Sequence, residues 1–277
     1  MRSLLQSLNM KRCRICHLIV TICIIAITIP GVRTMQSNNE NNARPNVAIV
    51  TGGTRGIGKG IVQALAETGN YHGFILSYNS NKEAAEGFRT ELEHQLRQSL
   101  GGRKRKEAKV CIVGGDLSVP ENRDKIFDCF DHEFPQGDLC TMVHNAGQYV
   151  GVTSANEHGI AKSDQSLKFG DGSLLNDEGK VNFESMRFYQ KLYGEAFVDL
   201  CERSLKRMKE AHARCVAENS KYSGSIVGIS SPGCNAAFKM SAGYDMPGSG
   251  KCVMEFSIRH YAHSVAEYGI NCNVIIP

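Results

Sequence analysis

The apolar and polar positions of residues 46–277 follow two different periods. Short apolar runs, such as residues 47–50, are typical of buried strands, whereas longer stretches with an apolar residue every three or four positions are typical of amphipathic helices. The two patterns alternate and predict strands over 46–52, 73–78, 109–114, 139–145, 224–230 and 270–276, and helices over 58–69, 81–99, 120–133, 184–213 and 248–267. This alternation predicts an α/β fold, a doubly wound parallel sheet of six strands with helices on both faces.

The first 45 residues have a different pattern. Four basic residues precede an uncharged, mostly apolar run over 18–29, and an Asn-rich polar stretch follows over 36–46. The run fits the apolar region of a signal peptide better than a membrane span, which needs roughly twenty residues. We therefore predict that residues 1–45 are a signal peptide or an uncleaved signal anchor with a polar linker. Such a leader implies entry into the endomembrane system, with the endoplasmic reticulum membrane or a plastid as destination.

Composition and charge exclude several other classes of protein. A chain of 277 residues with 42% apolar content can bury one large core, so residues 46–277 are expected to form a single domain. The net charge of +4 is modest, and the basic cluster at 103–106 is typical of a solvated loop, so no nucleic-acid partner is expected. The eleven cysteines show no disulfide framework and no pair of Cys-x-x-Cys motifs, so no metal site is expected.

A glycine-rich turn follows the first predicted strand. Residues 51–58 read Thr-Gly-Gly-Thr-Arg-Gly-Ile-Gly and lead into the first predicted helix. Glycines let the backbone of such a turn approach a pyrophosphate, and the N–H groups and dipole at the helix N-terminus stabilise its negative charge. The turn therefore predicts a dinucleotide site, whose candidate contacts are Gly52, Thr54, Arg55, Gly56, Ile57 and Gly58.

Further motifs stand at the ends of three later strands. They are Asp116 and Leu117 after the third strand, Asn145, Ala146 and Gly147 at the end of the fourth, and Ser231 after the fifth. Together with the T-G-x-x-x-G-x-G turn, this order of motifs resembles the short-chain dehydrogenase/reductase family. The resemblance runs from Asn46 to the last residue.

The resemblance implies a Rossmann-like domain over 46–277 and assigns roles to these motifs. Asp116 would hydrogen-bond the adenine ring, Leu117 would contact the same ring, and the Asn-Ala-Gly turn would lie against the cofactor. The family's sheet usually has a seventh strand, preceded by a substrate-covering helix pair, and this chain stops before both. We therefore expect the domain to be C-terminally truncated, and to form a homo-oligomer when full length.

The family's catalytic serine and tyrosine are matched, but its lysine is displaced. Ser231 and Tyr244 have the usual spacing of thirteen, whereas position 248 of the usual Tyr-x-x-x-Lys is Gly. Lys251 stands seven after Tyr244, a spacing similar to that of enoyl-acyl-carrier-protein reductases in the same superfamily. The resemblance implies that Ser231 polarises a carbonyl, Tyr244 donates a proton, and Lys251 lowers the pKa of Tyr244 and holds the nicotinamide ribose. Pro247 is expected to mark the start of the helix, with Tyr244 on the preceding loop.

Two other positions depart from the family pattern. Tyr193 stands where the family has an active-site asparagine, and either a core residue or a functional substitute fits that position. His144 stands where the family most often has a second asparagine. A packing or surface role is expected for His144 rather than catalysis.

The cofactor can be argued from charge. Enzymes that use NAD hold the ribose 2′-hydroxyl with an acid after the second strand, and this chain has Asn79 and Ser80 there. Arg55 could pair with a 2′-phosphate. These residues predict NADP(H). The long polar segment over 148–182 is expected to act on the substrate side of the site.

These observations predict an NADPH-dependent oxidoreductase that reduces a carbonyl to an alcohol. The resemblance favours a 3-oxoacyl thioester and hence fatty acid metabolism, with a small-molecule or acyl-thioester substrate. Two alternatives stay open at this point. The Tyr-x6-Lys spacing favours an enoyl-thioester reductase, and the displaced lysine favours a non-catalytic NADP(H)-binding paralogue.

Overall fold

A computed structural model describes residues 44–99, 108–147, 175, 178–232, 234–235 and 245–277. Its strands are β1 (Asn46–Thr51), β2 (Gly73–Tyr78), β3 (Lys109–Gly114), β4 (Asp138–His144), β5 (Gly224–Ile229) and β6 (Ile270–Ile275). Its α-helices are α1 (Gly56–Glu67), α2 (Lys82–Ser99), α3 (Pro120–Glu133), α4 (Phe183–Tyr189), α5 (Ala196–Ala217) and α6 (Asp245–Ser264). A π-helix over Gln190–Glu195 joins α4 to α5, and a 3₁₀ turn over Ala266–Tyr268 follows α6.

The six strands form one parallel sheet in the order β3-β2-β1-β4-β5-β6. Ile49 in the centre of β1 pairs with Ile75 of β2 on one side and Met142 of β4 on the other, and all three side chains are buried. Such strands are apolar on both faces because helices cover both sides. The predicted doubly wound α/β fold is confirmed.

The strand order reverses at β1, because β2 and β3 lie on one side of it and β4, β5 and β6 on the other. In open parallel sheets, a crevice forms at the carboxyl ends of the strands where the order reverses. The glycine turn after β1 and the Asn-Ala-Gly turn after β4 both lie at that point. The fold therefore brings together two of the predicted motifs.

Two helix predictions need correction. The single helix predicted over 184–213 is α4, the π-helix and α5 in succession, and it ends at Ala217. The last long helix begins at Asp245 rather than at 248 and includes Pro247. Proline is tolerated there because the N–H groups of a first helical turn have no partner within the helix.

A buried carboxylate anchors the start of β4. Asp138 is fully buried and accepts hydrogen bonds from Arg44 at 3.1 Å and from Arg214 of α5 at 2.6 Å. Arg44 also donates to Glu218 at 2.6 Å, and this carboxylate holds the pKa of Arg44 above its usual value. The cluster ties Arg44, two residues before β1, to β4 and to the end of α5.

Several predictions fall on residues that the structure does not describe. These are the signal or anchor segment within 1–43, most of the 148–182 segment, and Tyr244. Among the residues it does describe, no helix has the length and apolar character needed to span a membrane. The same residues include no group of three or more histidine, cysteine or acidic side chains placed to hold a metal ion.

Candidate active site

The glycine turn between β1 and α1 forms a tight cradle. Gly52 and Gly56 have φ angles of +60° and +53°, a conformation that favours glycine. A Cβ atom on Gly58 would lie 2.1 Å from the carbonyl oxygen of Gly52, so only glycine allows this close approach of helix and turn. The backbone N–H of Gly52 donates to Ser77 Oγ of β2 at 3.0 Å, which holds the turn against the sheet.

The first turn of α1 borders this cradle and contains no acidic side chain. Arg55 is the N-cap residue and is exposed, and its side chain makes no capping hydrogen bond. Thr54 is buried and Ile57 packs against the core. The geometry fits the pyrophosphate of a dinucleotide, because the helix N-terminus and its arginine both favour negative charge.

Thr51 joins the cradle to the Asn-Ala-Gly turn. Its hydroxyl oxygen accepts from the backbone N–H of Asn145 at 3.0 Å and of Ala146 at 2.9 Å. The Asn145 side chain donates in return to the carbonyl oxygens of Thr51 and Gly52, at 3.2 and 3.1 Å. The two turns therefore form one rigid edge of the crevice. Thr51 is part of the glycine-turn motif but was not among the predicted cofactor contacts.

His144 is part of the same hydrogen-bond network. It is 1% exposed, its Nδ1 lies 3.1 Å from Thr51 Oγ1, and its Nε2 lies 3.2 Å from the carbonyl oxygen of Leu192 in the π-helix. The carbonyl can only accept, so we assign the proton to Nε2, and the Thr51 hydroxyl then donates to Nδ1. Burial lowers the pKa of His144 to about 4. His144 is a buried packing residue, one of the two roles expected, and it is neutral at neutral pH.

The residues predicted to hold the adenosine end lie along the neighbouring strand ends. Asp116 is partly exposed after β3, and its Oδ1 accepts from the N–H of Ser118 at 2.9 Å. Leu117 is 3% exposed and belongs to the core. Asn79 and Ser80 are exposed after β2. The structure therefore places all four beside the crevice, at the carboxyl edge of β2 and β3.

Ser231 and Lys251 meet beyond the end of β5. Lys251 lies on α6 and is 8% exposed, and its ammonium donates to Ser231 Oγ at 2.8 Å and to the carbonyl oxygen of Ser230 at 3.3 Å. Burial lowers the pKa of Lys251 to about 8, and interactions with Cys234 and Glu255 oppose part of that shift. An ammonium with this pKa is mostly protonated at pH 7 and can stabilise a nearby phenolate or alkoxide.

A second layer of contacts holds the serine loop, and sequence reasoning missed it. The Ser230 hydroxyl donates to Glu255 of α6, one helical turn after Lys251. The other carboxylate oxygen of Glu255 accepts from the side chain of Asn235 at 2.8 Å. Glu255 thus fixes the loop on both sides of Ser231. The four-residue spacing of Lys251 and Glu255 was the available signal, because it puts both side chains on one face of a helix.

Comparison with known proteins shows what this chain resembles. The fold and the crevice are those of a dinucleotide-binding α/β protein, and residues 46–170 match the family model for short chain dehydrogenases. Over this stretch the chain is similar to the short-chain dehydrogenase/reductase family. The members of this family are oxidoreductases that use nicotinamide cofactors.

Individual relatives agree with that assignment. A short-chain type dehydrogenase/reductase of Picea abies is 34% identical over 101 residues, which are 36% of this chain and 34% of the relative. An Arabidopsis thaliana protein described as an NADPH-dependent aldehyde reductase-like protein, chloroplastic, is 31% identical over 102 residues, 36% of each chain. This chain therefore spans about a third of the length of the curated relatives it matches.

Solved structures support the fold. Acetoin dehydrogenase from Enterobacter cloacae superimposes with a TM-score of 0.60 at 18% identity, over 85% of this chain and 73% of that one. At this level of identity the likeness concerns the fold alone.

Proposed function

We propose that the protein is an NADPH-dependent reductase that converts a carbonyl, most like that of a 3-oxoacyl thioester, to an alcohol. The observation that carries the proposal is the 2.8 Å hydrogen bond from the Lys251 ammonium to Ser231 Oγ, beside the dinucleotide crevice. Because the ammonium donates to the serine oxygen, it makes the hydroxyl of Ser231 a stronger hydrogen-bond donor for a carbonyl oxygen. The serine is thereby oriented and polarised for this task.

The residues of the crevice fit the cofactor. The cradle of Gly52, Gly56 and Gly58 would hold the pyrophosphate, and Asp116 and Leu117 the adenine. Exposed Arg55 would pair with the 2′-phosphate, since residues 79–82, directly after β2, include no acid to repel it. The bound cofactor supplies the hydride. The Arabidopsis relative is described as NADPH-dependent, which supports this choice over NADH.

Proton transfer completes the proposed reaction. Tyr244 is the proposed proton donor, and a phenol with its usual pKa near 10 needs a nearby positive charge to act at neutral pH. The buried Lys251 ammonium supplies that charge and would also hold the ribose. Tyr244 would give its phenolic proton to the carbonyl oxygen while the cofactor would supply a hydride to the carbonyl carbon, so the product would be the alcohol.

The test is an assay of NADPH oxidation by the full chain with a 3-oxoacyl thioester, a 2-enoyl thioester and a simple aldehyde. We expect turnover of the 3-oxoacyl thioester, and Lys251→Ala should reduce kcat by about 10²–10⁴-fold. Turnover of the enoyl substrate alone would make the protein an enoyl-thioester reductase, as its Tyr-x6-Lys spacing allows. NADPH binding without any turnover would make it a cofactor-binding paralogue.

Cofactor choice has its own test. Arg55→Ala should weaken binding of NADPH more than that of NADH, because only NADPH carries the 2′-phosphate. Arg97→Ala is the matched control, since Arg97 is an exposed arginine near the end of α2. An equal loss of affinity for NADPH and NADH in Arg55→Ala would contradict the assignment.

An organellar location, as the leader predicts, is compatible with the chloroplastic relative.

A further inference from the structure

Tyr193 lies in an unusual piece of backbone beside the proposed site. It is the fourth residue of the π-helix over Gln190–Glu195 and is 3% exposed. π-Helical turns are rare and are found frequently at functional sites. Its ring stacks on that of Tyr189, with ring centres 6.0 Å apart and an interplanar angle of 6°. The side chain is therefore held in one orientation.

Glycines bring this π-helix close to the helix that carries Lys251. A Cβ atom on Gly250 would lie 2.3 Å from the carbonyl oxygen of Tyr189 and 3.1 Å from Cβ of Tyr193. On the opposite side, a Cβ on Gly194 would lie 3.1 Å from Val253. Backbone-to-backbone packing of this kind leaves no room for side chains between the two helices. It places Tyr193 directly against Lys251, the residue that follows Gly250.

The ring of Tyr193 forms one wall of the pocket around the Lys251 ammonium. Nζ lies 4.9 Å from the ring centre, within the range of a cation–π interaction. Ser231 Oγ and the carbonyl oxygen of Ser230 accept from the same ammonium, at 2.8 and 3.3 Å. Among the residues that the structure describes, the Tyr193 ring and these two oxygen atoms lie around a positive charge that is almost completely withdrawn from water.

We propose that Tyr193 is a positioning residue for Lys251, whose aromatic face holds the ammonium against Ser231 and keeps it charged within the buried site. The inference rests on the proposed catalytic function of Lys251. Of the two roles that the sequence left open for Tyr193, the proposal favours the functional one. It also gives this tyrosine a role different from that of an asparagine, since an amide has no aromatic face.

The hydroxyl end of Tyr193 lies at the edge of the proposed cofactor site. A Cβ atom on Gly147 would lie 2.8 Å from the Tyr193 hydroxyl, so this end of the side chain touches the Asn-Ala-Gly turn. Tyr193 thus spans the distance between that turn and Lys251. A bulky residue at 147 would displace the ring from beneath the ammonium.

Other titratable groups near Lys251 also influence its pKa. Glu255 and Cys234 favour the ammonium, whereas burial opposes it. His144 on β4 is close enough to interact with Lys251, but it is neutral above pH 6 because its pKa is about 4. Substitutions at 193 leave all three groups in place. A change in the protonation of Lys251 would therefore report the ring itself.

The experiment is an NMR titration of the Lys251 side chain in the full chain labelled with ¹³C-lysine, with the signal assigned by its loss in Lys251→Arg. Wild-type protein should give a pKa of about 8. Tyr193→Phe keeps the aromatic face and should leave this pKa unchanged. Tyr193→Leu keeps an apolar side chain without the aromatic face and should lower the pKa by about 1.5 units, because the ammonium loses a desolvated cation–π contact.

Controls separate positioning from packing. Phe197→Leu removes a buried aromatic ring four residues further along the same helical segment, and it should leave the pKa of Lys251 unchanged. If Tyr193→Leu does not fold, fluorinated phenylalanines at 193 keep the shape and weaken the face stepwise, and the pKa should fall with each fluorine. A pKa of Lys251 that does not respond to Tyr193→Leu or to fluorination overturns the inference. The titration needs neither substrate nor cofactor, so an absence of carbonyl reduction would refute the proposed function without affecting this result.

Discussion

Acid should destabilise this protein through one histidine, and substitution of that histidine can isolate the effect. His144 is buried with Nε2 facing the Leu192 carbonyl and Nδ1 facing Thr51. The Thr51 oxygen already accepts two backbone N–H groups, so a second ring proton on His144 would face a filled acceptor. The histidine must therefore stay neutral to keep the network intact.

The magnitude follows from the two pKa values. In the unfolded chain the pKa is 6.5 and in the folded protein about 4, so between these values the unfolded chain binds more protons. Stability therefore rises with pH across this window and is lost as the pH falls through it. Between pH 7 and pH 5 this one residue should cost about 2 kcal/mol, and about 3 kcal/mol once the pH is below 4.

The assay is urea unfolding at pH 7 and pH 5 for the wild type and for His144→Asn. Asparagine does not titrate, so the variant lacks this contribution, whatever its own stability at pH 7. The contributions of carboxylates and other histidines are common to both proteins and cancel. We expect the wild type to lose about 2 kcal/mol more than the variant over these two pH units. Parallel pH dependences for the two proteins would refute the buried neutral histidine.

Two further substitutions test the packing. Gly250→Ala should lower the free energy of unfolding by about 1–3 kcal/mol, because its Cβ would lie 2.3 Å from the Tyr189 carbonyl oxygen. Gly87→Ala in α2 meets no atom within 4 Å and should be neutral or stabilising, and an equal loss in both glycine variants would contradict the close packing. Asp138→Ala should cost about 2 kcal/mol in urea unfolding, since it leaves two partly exposed arginines without their buried acceptor. Glu218→Ala, on the exposed side of the same cluster, should cost less, and the reverse order would refute the anchoring role of Asp138.

The sheet could be predicted from the sequence because its strands are covered on both faces. Buried parallel strands are nearly continuous apolar runs, and the runs at β1, β2 and β3 have ends that differ from the prediction by at most one residue. The meeting of Lys251 with Ser231 could also be anticipated, since the motifs place both at one sheet edge. Tyr244, the third member of that predicted group, lies outside the described residues and stays a prediction.

The π-helix could not be predicted in this way. Its apolar positions fit an ordinary helix, and its close packing against Gly250 involves a helix that lies far away in the chain. The contacts of Thr51 with His144 and of Ser230 with Glu255 could not be predicted for the same reason. Each joins residues far apart in the chain, so the geometry exists only after the sheet has assembled. Helix periodicity carries no information about such contacts.

The arginine cluster at the start of β4 has a consequence for how fast the protein folds and unfolds. Arg44 bonds to Asp138 and Glu218, which lie 94 and 174 residues away in the chain. Contacts between such distant segments gain energy only after most of the chain entropy has been lost, so they tend to form late in folding. An interaction absent from the transition state slows unfolding without accelerating folding. We therefore expect the contacts of Arg44 to lengthen the lifetime of the folded domain more than they accelerate its folding.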